Sequence, residues 1–320
     1  RPKSKGYDAG LFIQDEYAIN PYLTLTPVLR WSYYNRKPTT DNNDKFGLAS
    51  RSDSKVTPGI TLTLSPSKQL SFYASVQTGY RPPFLDELYT SIEYPEFGMY
   101  SVVLPNPDLK PEESINVEIG VNGDYKSLFS DSDRFVFHAN VFRDRVKNLI
   151  NAGATGDMDF TDDGDMILYY SIDNVGKALK TGFEASADYY PGNADFHLSY
   201  GYLHAEDKNT GEKIPGLTPM QATLRAGYTY KPWNVNGWYR MRLFKGGKSN
   251  LETAWNSGEY KQLGGFATHT LGLTWKPQIK DWADFTLTFS VDNITNKKFR
   301  YLNGGYGVGR SYRAWLSATF

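Results

Sequence analysis

The sequence predicts an all-β fold, an antiparallel up-and-down barrel that crosses a membrane with its strands. Three observations carry this reading. Apolar residues recur at every second position in one segment after another. The connections between those segments alternate short and long, as they do in outer-membrane barrels. No stretch of the 320 residues approaches the roughly 18 consecutive apolar side chains that a transmembrane helix needs. A mean hydropathy of −0.53 does not oppose a membrane location, because a barrel wall alternates lipid-facing and lumen-facing residues and averages to a polar value. Aromatic residues make up 15% of the chain, and Tyr (24) outnumbers Phe (18). Tyrosine suits a membrane interface, where an apolar ring and a wet hydroxyl are both satisfied. The formal net charge of zero argues against a nucleic-acid partner, and the lack of cysteine selects no compartment. No charged segment followed by an apolar one opens the chain, so any signal peptide is expected to have been removed or to lie outside these residues.

Taken in order, strands are predicted near 7–19, 22–36, 55–65, 68–80, 112–124, 134–148, 168–190, 195–207, 221–230, 236–247, 267–277, 284–296 and 311–320. The last of these is the plainest: Tyr312, Ala314, Leu316, Ala318 and Phe320 share one face, and Arg313, Trp315, Ser317 and Thr319 the other. Phe285, Leu287, Phe289 and Val291 alternate with Thr286, Thr288, Ser290 and Asp292 in the same way, as do Leu70, Phe72, Ala74 and Val76 with Ser71, Tyr73, Ser75 and Gln77. Ile115, Val117, Ile119 and Val121 form another apolar face, and Phe196, Leu198, Tyr200 and Tyr202 another. Pro27 and Pro58 fall inside predicted strands and remove ladder donors, so bulges or short breaks are expected there. Asn174-Val175-Gly176 resembles a turn, but one projecting strand over 168–190 keeps the following long loop on the side that the rhythm requires.

The connections are two residues at 20–21, about 18 at 37–54, two at 66–67 and about 31 at 81–111, and the rhythm continues to the end of the chain. Thirteen strands is an odd number. An antiparallel barrel cannot close on it, because the seam would be parallel. The chain is therefore expected to be the C-terminal part of a larger barrel.

Several motifs resemble those of the TonB-dependent outer-membrane receptors. They are Gly10-Leu11-Phe12-Ile13-Gln14-Asp15-Glu16-Tyr17, then Tyr80-Arg81-Pro82-Pro83-Phe84-Leu85-Asp86-Glu87-Leu88-Tyr89, then Asn106-Pro107-Asp108-Leu109-Lys110-Pro111-Glu112. Asn174-Val175-Gly176-Lys177 leading to Gly182-Phe183-Glu184 is a fourth. Val291-Asp292-Asn293-Ile294 with Gly309-Arg310-Ser311-Tyr312 is similar to the family's closing hairpin. The resemblance implies residues 1–320 as the C-terminal portion of a 22-stranded barrel, strands 10 to 22, in the outer membrane of a Gram-negative cell. The plug domain, its TonB-contacting segment and nine strands would lie outside this chain. It also implies a transported ligand, an iron chelate such as a siderophore, or haem, with no intrinsic cofactor. The implied partners are outer-membrane lipid, TonB acting through the plug, and a small-molecule chelate.

The boxes Tyr80-Arg81-Pro82-Pro83 and Asn106-Pro107-Asp108-Leu109 resemble the pair that flanks the seventh loop in haem receptors of that family. Prolines hold the chain extended at the rim, and Asp108 can bond nearby amides, so framing is the first reading and ligand contact by Arg81 the second. Between the boxes lie Tyr89, Glu93, Tyr94, Met99 and Tyr100, and no histidine. Tyrosine and methionine can both ligate haem iron, and tyrosine rings can stack on a planar chelate. These residues and His138, on the polar face of its strand, are the candidate ligand-binding set. The four histidines show no metal-ligand spacing. Arg143, Arg145 and Lys147 alternate near the top of their strand, as expected once it has left the membrane. No nucleophile and base spacing supports an enzyme. The rival readings are a passive porin-like channel and a loop-based protein-binding adhesin.

Overall fold

The computed structural model describes residues 3–39, 48–96, 99–174, 176–252, 259–277 and 283–319. Its main element is a fourteen-stranded antiparallel sheet. The wall begins with β1 (Ser4–Gln14), β2 (Tyr17–Asn20), β3 (Leu23–Pro38), β4 (Arg51–Ser67) and β5 (Leu70–Arg81). A short helix α1 (Leu85–Tyr89) and the strands β6 (Ile92–Glu96) and β7 (Met99–Leu104) follow. The wall resumes with β8 (Glu112–Lys126) and β9 (Asp133–Lys147), is left by β10 (Ile150–Phe160) and β11 (Met166–Asn174), and resumes at β12 (Lys177–Pro191). It ends with β13 (Ala194–Asp207), β14 (Met220–Tyr230), β15 (Val235–Phe244), the outlying pair β16 (Gly247–Glu252) and β17 (Tyr260–Leu263), then β18 (Phe266–Trp275), β19 (Asp284–Asp292) and β20 (Ser311–Thr319). Phe320 lies outside the described residues.

Sequential wall strands pair in the order β1-β3-β4-β5-β8-β9-β12-β13-β14-β15-β18-β19-β20, with β2 continuing the line of β1 against β3. Every neighbouring pair in that path is antiparallel. The path has thirteen strands, so β1 and β20 run the same way, and among the described residues they do not pair with each other. Both leave one ladder edge open.

Register shows which face is which. Ile119 stands opposite Val141, and Val141 opposite Phe183. All three are exposed apolar side chains, Ile119 at 58% and Val141 at 51%. The other face carries Tyr73, Glu118 and Asn140, joined by hydrogen bonds from the tyrosine hydroxyl and from Asn140 Nδ2 (2.9 Å) to the Glu118 carboxylate. An exposed apolar band outside and a bonded polar face inside are the division that a lipid-facing wall with a wet lumen requires.

The two prolines are accommodated without bulging the β3–β4 ladder, where Pro27 opposes Ile60 and Pro58 opposes Leu29. A residue's N and C=O point to the same side of a strand. The Pro27 carbonyl accepts from Asp15 N–H at 3.2 Å, so the missing donor faces the interruption between β1 and β2. The Pro58 carbonyl accepts from the Thr78 hydroxyl at 2.6 Å, and the β4–β5 pairing stops one residue away, at Gly59. Each proline sits where a ladder is already broken.

The single strand expected over 168–190 is two. β11 ends at Asn174 and β12 begins at Lys177, with Gly176 at φ +119°, a backbone state that L side chains rarely adopt. Parity survives because β10 and β11 form a hairpin that leaves the wall and returns to the same side.

Candidate binding mouth

The long-loop ends of β5, β8, β9 and β12 carry a second sheet. Its order is β10-β11-β7-β6, and it joins two different loops by a parallel pairing of β11 with β7, from Met166 opposite Met99 to Ser171 opposite Leu104. Beneath it Leu88, Tyr89, Leu109 and Ile150 form a buried cluster, with Leu48, Leu85 and Ile172 packed against it. Residues from α1, from the second box and from the start of β10 thus make one small core at the rim.

The boxes are the ties of this arrangement. Arg81 spans Glu112 with two hydrogen bonds, 2.8 and 2.6 Å, and Glu87 with two of 3.0 Å. Glu87 also accepts from Phe84 N–H at 2.7 Å, fixing the start of α1. Glu112 accepts from Ile150 N–H at 2.8 Å. Burial alone would raise its carboxyl, but the Arg81 guanidinium and that amide outweigh it and hold the group below the ordinary carboxylate range. Pro83 is fully buried and its carbonyl accepts from Arg36. Tyr80 bonds Asp53 through its hydroxyl at 3.1 Å. In the second box, Arg51 reaches both the Pro107 carbonyl and the Asp108 carboxylate. Asn106 Nδ2 donates to the Ile172 carbonyl at 2.9 Å and to Asp173 at 2.7 Å. Asn174 stitches three segments: its Oδ1 accepts from Lys110 N–H (2.8 Å), and its Nδ2 donates to the carbonyls of Lys110 (2.9 Å) and Asn148 (2.8 Å).

Several candidate ligand residues are therefore placed otherwise than expected. Arg81 spends its guanidinium on two carboxylates at the rim. Tyr89 is 1% exposed, and its hydroxyl faces the carbonyls of Arg36 (3.0 Å) and Ala49 (2.8 Å). A ring so enclosed has no face left for a ligand. His138 lies on β9 nine residues below Lys147, about 30 Å along a strand. It bonds Asn122 at 2.7 Å and stacks on Tyr73, away from the loop sheet. Glu93 is exposed on β6 and Tyr100 half-buried on β7. Tyr94 and Met99 take part in backbone pairing, but their side chains lie outside the described residues.

The pairing also brings in a residue that the sequence reading left inside a wall strand. Glu93 opposes Val102, Val102 opposes Tyr169, and Tyr100 opposes Ile167. Directly opposed residues share a face, so Glu93, Tyr100 and Tyr169 stand on the same side of the loop sheet. Leu168, on the opposite side, is fully buried. The only signal in the sequence was the polar aromatic pair Tyr169-Tyr170 beside the turn-like Asn174-Val175-Gly176.

Below the mouth, the lumen wall of β15, β18, β19 and β20 holds a second polar surface. Asp292 takes Arg240 (3.3 Å), Arg313 (2.9 Å) and the Thr270 hydroxyl (3.0 Å). Trp238 lies over Gly272, where a Cβ would come within 2.2 Å of its ring, with the guanidiniums of Arg225 and Arg240 5.5 and 5.6 Å from its centroid. A groove of about 280 Å³ beside them is lined by Arg240, Arg242, Arg313, Tyr301 and Tyr306 among others. No group of three or more metal-ligating side chains occurs among the described residues.

Fold and rim together define the wall of a β-barrel of the outer membrane, with a loop-built mouth on its long-loop side. The family described as TonB dependent receptor-like, beta-barrel, matches residues 1–294, and the chain belongs to it. The heme/hemopexin utilization protein C of Haemophilus influenzae (strain 86-028NP) is 24% identical over 294 residues, covering 87% of this chain and 38% of that protein. The hemoglobin and hemoglobin-haptoglobin-binding protein A of Haemophilus influenzae is 27% identical over 260 residues, covering 74% and 22%. Among solved structures, a mutant of the ferric enterobactin receptor of Pseudomonas aeruginosa superposes with a TM-score of 0.70 at 19% identity, over 98% of this chain and 45% of that one. The chain thus spans less than half the length of each of these three relatives.

Proposed function

We propose that the whole protein is an energy-coupled outer-membrane receptor that captures haem at its extracellular mouth and passes it inward through the barrel. Further strands and a plug would complete the barrel, and TonB would drive release through that plug. The observation that carries the reading is the likeness, over most of the chain, to relatives named for heme and hemoglobin use. The mouth supports it chemically. Tyr100 of β7 and Tyr169 of β11 share one face of the loop sheet, rings able to stack on a porphyrin, with a phenol able to ligate its iron in a loop, 82–111, that offers no histidine. Ferric siderophore is the alternative cargo within the same mechanism.

The test is haemin binding to the full-length receptor, followed by its absorption band, for wild type and for Tyr100→Ala with Tyr169→Ala. Loss of the stacks should weaken affinity by about 0.5 to 1.5 kcal/mol per ring. Tyr89→Phe should leave haemin affinity unchanged. A double variant that binds haemin as tightly as wild type places capture elsewhere; wild type that binds a ferric siderophore and not haemin replaces the cargo.

A further inference from the structure

We propose that an outward-facing basic patch on β9 and β12 holds the phosphate-bearing headgroup of an outer-leaflet glycolipid against the barrel wall. On the lipid-facing phase, Ile119, Val141, Phe183 and Tyr202 stand side by side across β8, β9, β12 and β13. One pair of residues nearer the long loops the row becomes Val117, Arg143, Thr181 and His204, and the next is Ile115, Arg145, Leu179 and Glu206. Above these, Lys147 directly opposes Lys177, and the Lys208 N–H bonds the Lys177 carbonyl at 2.8 Å, which sets a third lysine beside the first two. Along β9 the outer face passes from apolar Val141 to Arg143 within two residues and stays cationic through Arg145 and Lys147, while β12 turns cationic only at Lys177.

Arg143, Arg145, Lys147 and Lys177 are exposed. Carboxylates near them are already engaged: Glu113, opposite Lys147, pairs with Lys55 at 2.8 Å, and Glu206 takes Lys208 at 2.7 Å and His204 at 3.4 Å. Among the described residues no carboxylate pairs with any of the four cations. Like charges placed directly opposite across a ladder repel, and Glu113 on the other side of Lys147 is shared with Lys55, so an anion between or above Lys147 and Lys177 would relieve their repulsion. A phosphate supplies that anion. The apolar row just below favours a phosphate that carries acyl chains over a soluble one, because the chains can lie on Ile119, Val141, Phe183 and Tyr202 while the headgroup meets the cations.

The experiment uses the full-length receptor, purified in detergent and given bis-phosphorylated lipid A or the same lipid with its phosphates removed. Retained lipid is counted by native mass spectrometry. Wild type should keep the phosphorylated form at least about tenfold better. The variant Arg143→Gln/Arg145→Gln/Lys147→Gln/Lys177→Gln should lose that preference, and Arg143→Lys/Arg145→Lys should keep it. Heat-modifiable gel mobility checks that each variant is folded, and the charge-preserving pair keeps the test decisive if the quadruple variant is not. Equal retention of both lipids by wild type overturns the proposal. So does displacement of the lipid by inorganic phosphate at matched concentration, which would make this a soluble-anion site.

Discussion

Replacing Asn174 by alanine removes the side chain that ties β11 to the segments just after the second box and just before β10. The side chain makes three hydrogen bonds of 2.8 to 2.9 Å, to Lys110 N–H and to the carbonyls of Lys110 and Asn148. It sits where β11 leaves the loop sheet and is not on the face carrying Tyr100 and Tyr169. At about 0.5 to 1.5 kcal/mol each, losing all three lowers the free energy of opening the loop sheet by roughly 2 to 4 kcal/mol. A change of 1.4 kcal/mol is tenfold, so amides of β6, β7, β10 and β11 should exchange about 30 to 700 times faster. Those of β13 and β14 should not change. The assay is hydrogen exchange by mass spectrometry on the full-length receptor in detergent, at one pH. Unchanged exchange in the loop sheet would refute the fastening role, and faster exchange spread over the whole wall would show that the sheet and the barrel open as one unit.

Other outcomes follow from the same geometry. Leu287→Arg places a charge on the lipid-facing phase opposite Leu316 and should cost about 2 to 4 kcal/mol of insertion near the midplane, while Thr288→Arg, beside the Thr274 hydroxyl in the lumen, should be tolerated; folding titrations into lipid vesicles compare them. Because the Glu112 carboxyl is held below its ordinary 4.5, the Arg81–Glu112 tie should be fully present above that pH and be lost as pH falls through the lowered value. A fluorophore at Ser91 should report loosening only below about pH 4.5, and Glu112→Gln should remove that step. Tyr89→Phe strips the hydroxyl that serves two rim carbonyls and should destabilise the rim by about 1 to 2 kcal/mol, read by limited proteolysis of the loop.

The wall was legible in the sequence because its cause is local. A lipid on one side and water on the other imposes a period of two, and Phe72, Val117 and Phe289 are exposed apolar side chains on the phase that the alternation assigns them. The odd strand count also held, since each wall strand pairs with its sequence neighbour across a hairpin or a loop. The loop sheet was not legible, because β7 finds its partner β11 in a different loop. Nothing within residues 99–104 or 166–174 signals that pairing, and the latter segment reads equally well as the start of β12. Tyr89 illustrates the same limit for the site. A tyrosine in a long rim loop has the composition of a ligand contact, and only the meeting of Leu88, Leu109 and Ile150 shows it to be core. The prolines of the two boxes signal framing, and the contacts of Arg81, Asn106 and Asp108 supply the carboxylates, carbonyls and guanidinium that make the frame.

The most direct test of the central claim is uptake of iron-labelled haem by cells whose only haem receptor is the full-length protein. Accumulation should stop when TonB is removed and when the proton-motive force is collapsed, with surface binding of haem preserved in both cases. Accumulation that continues unchanged without TonB would contradict the claim and leave a passive channel in its place.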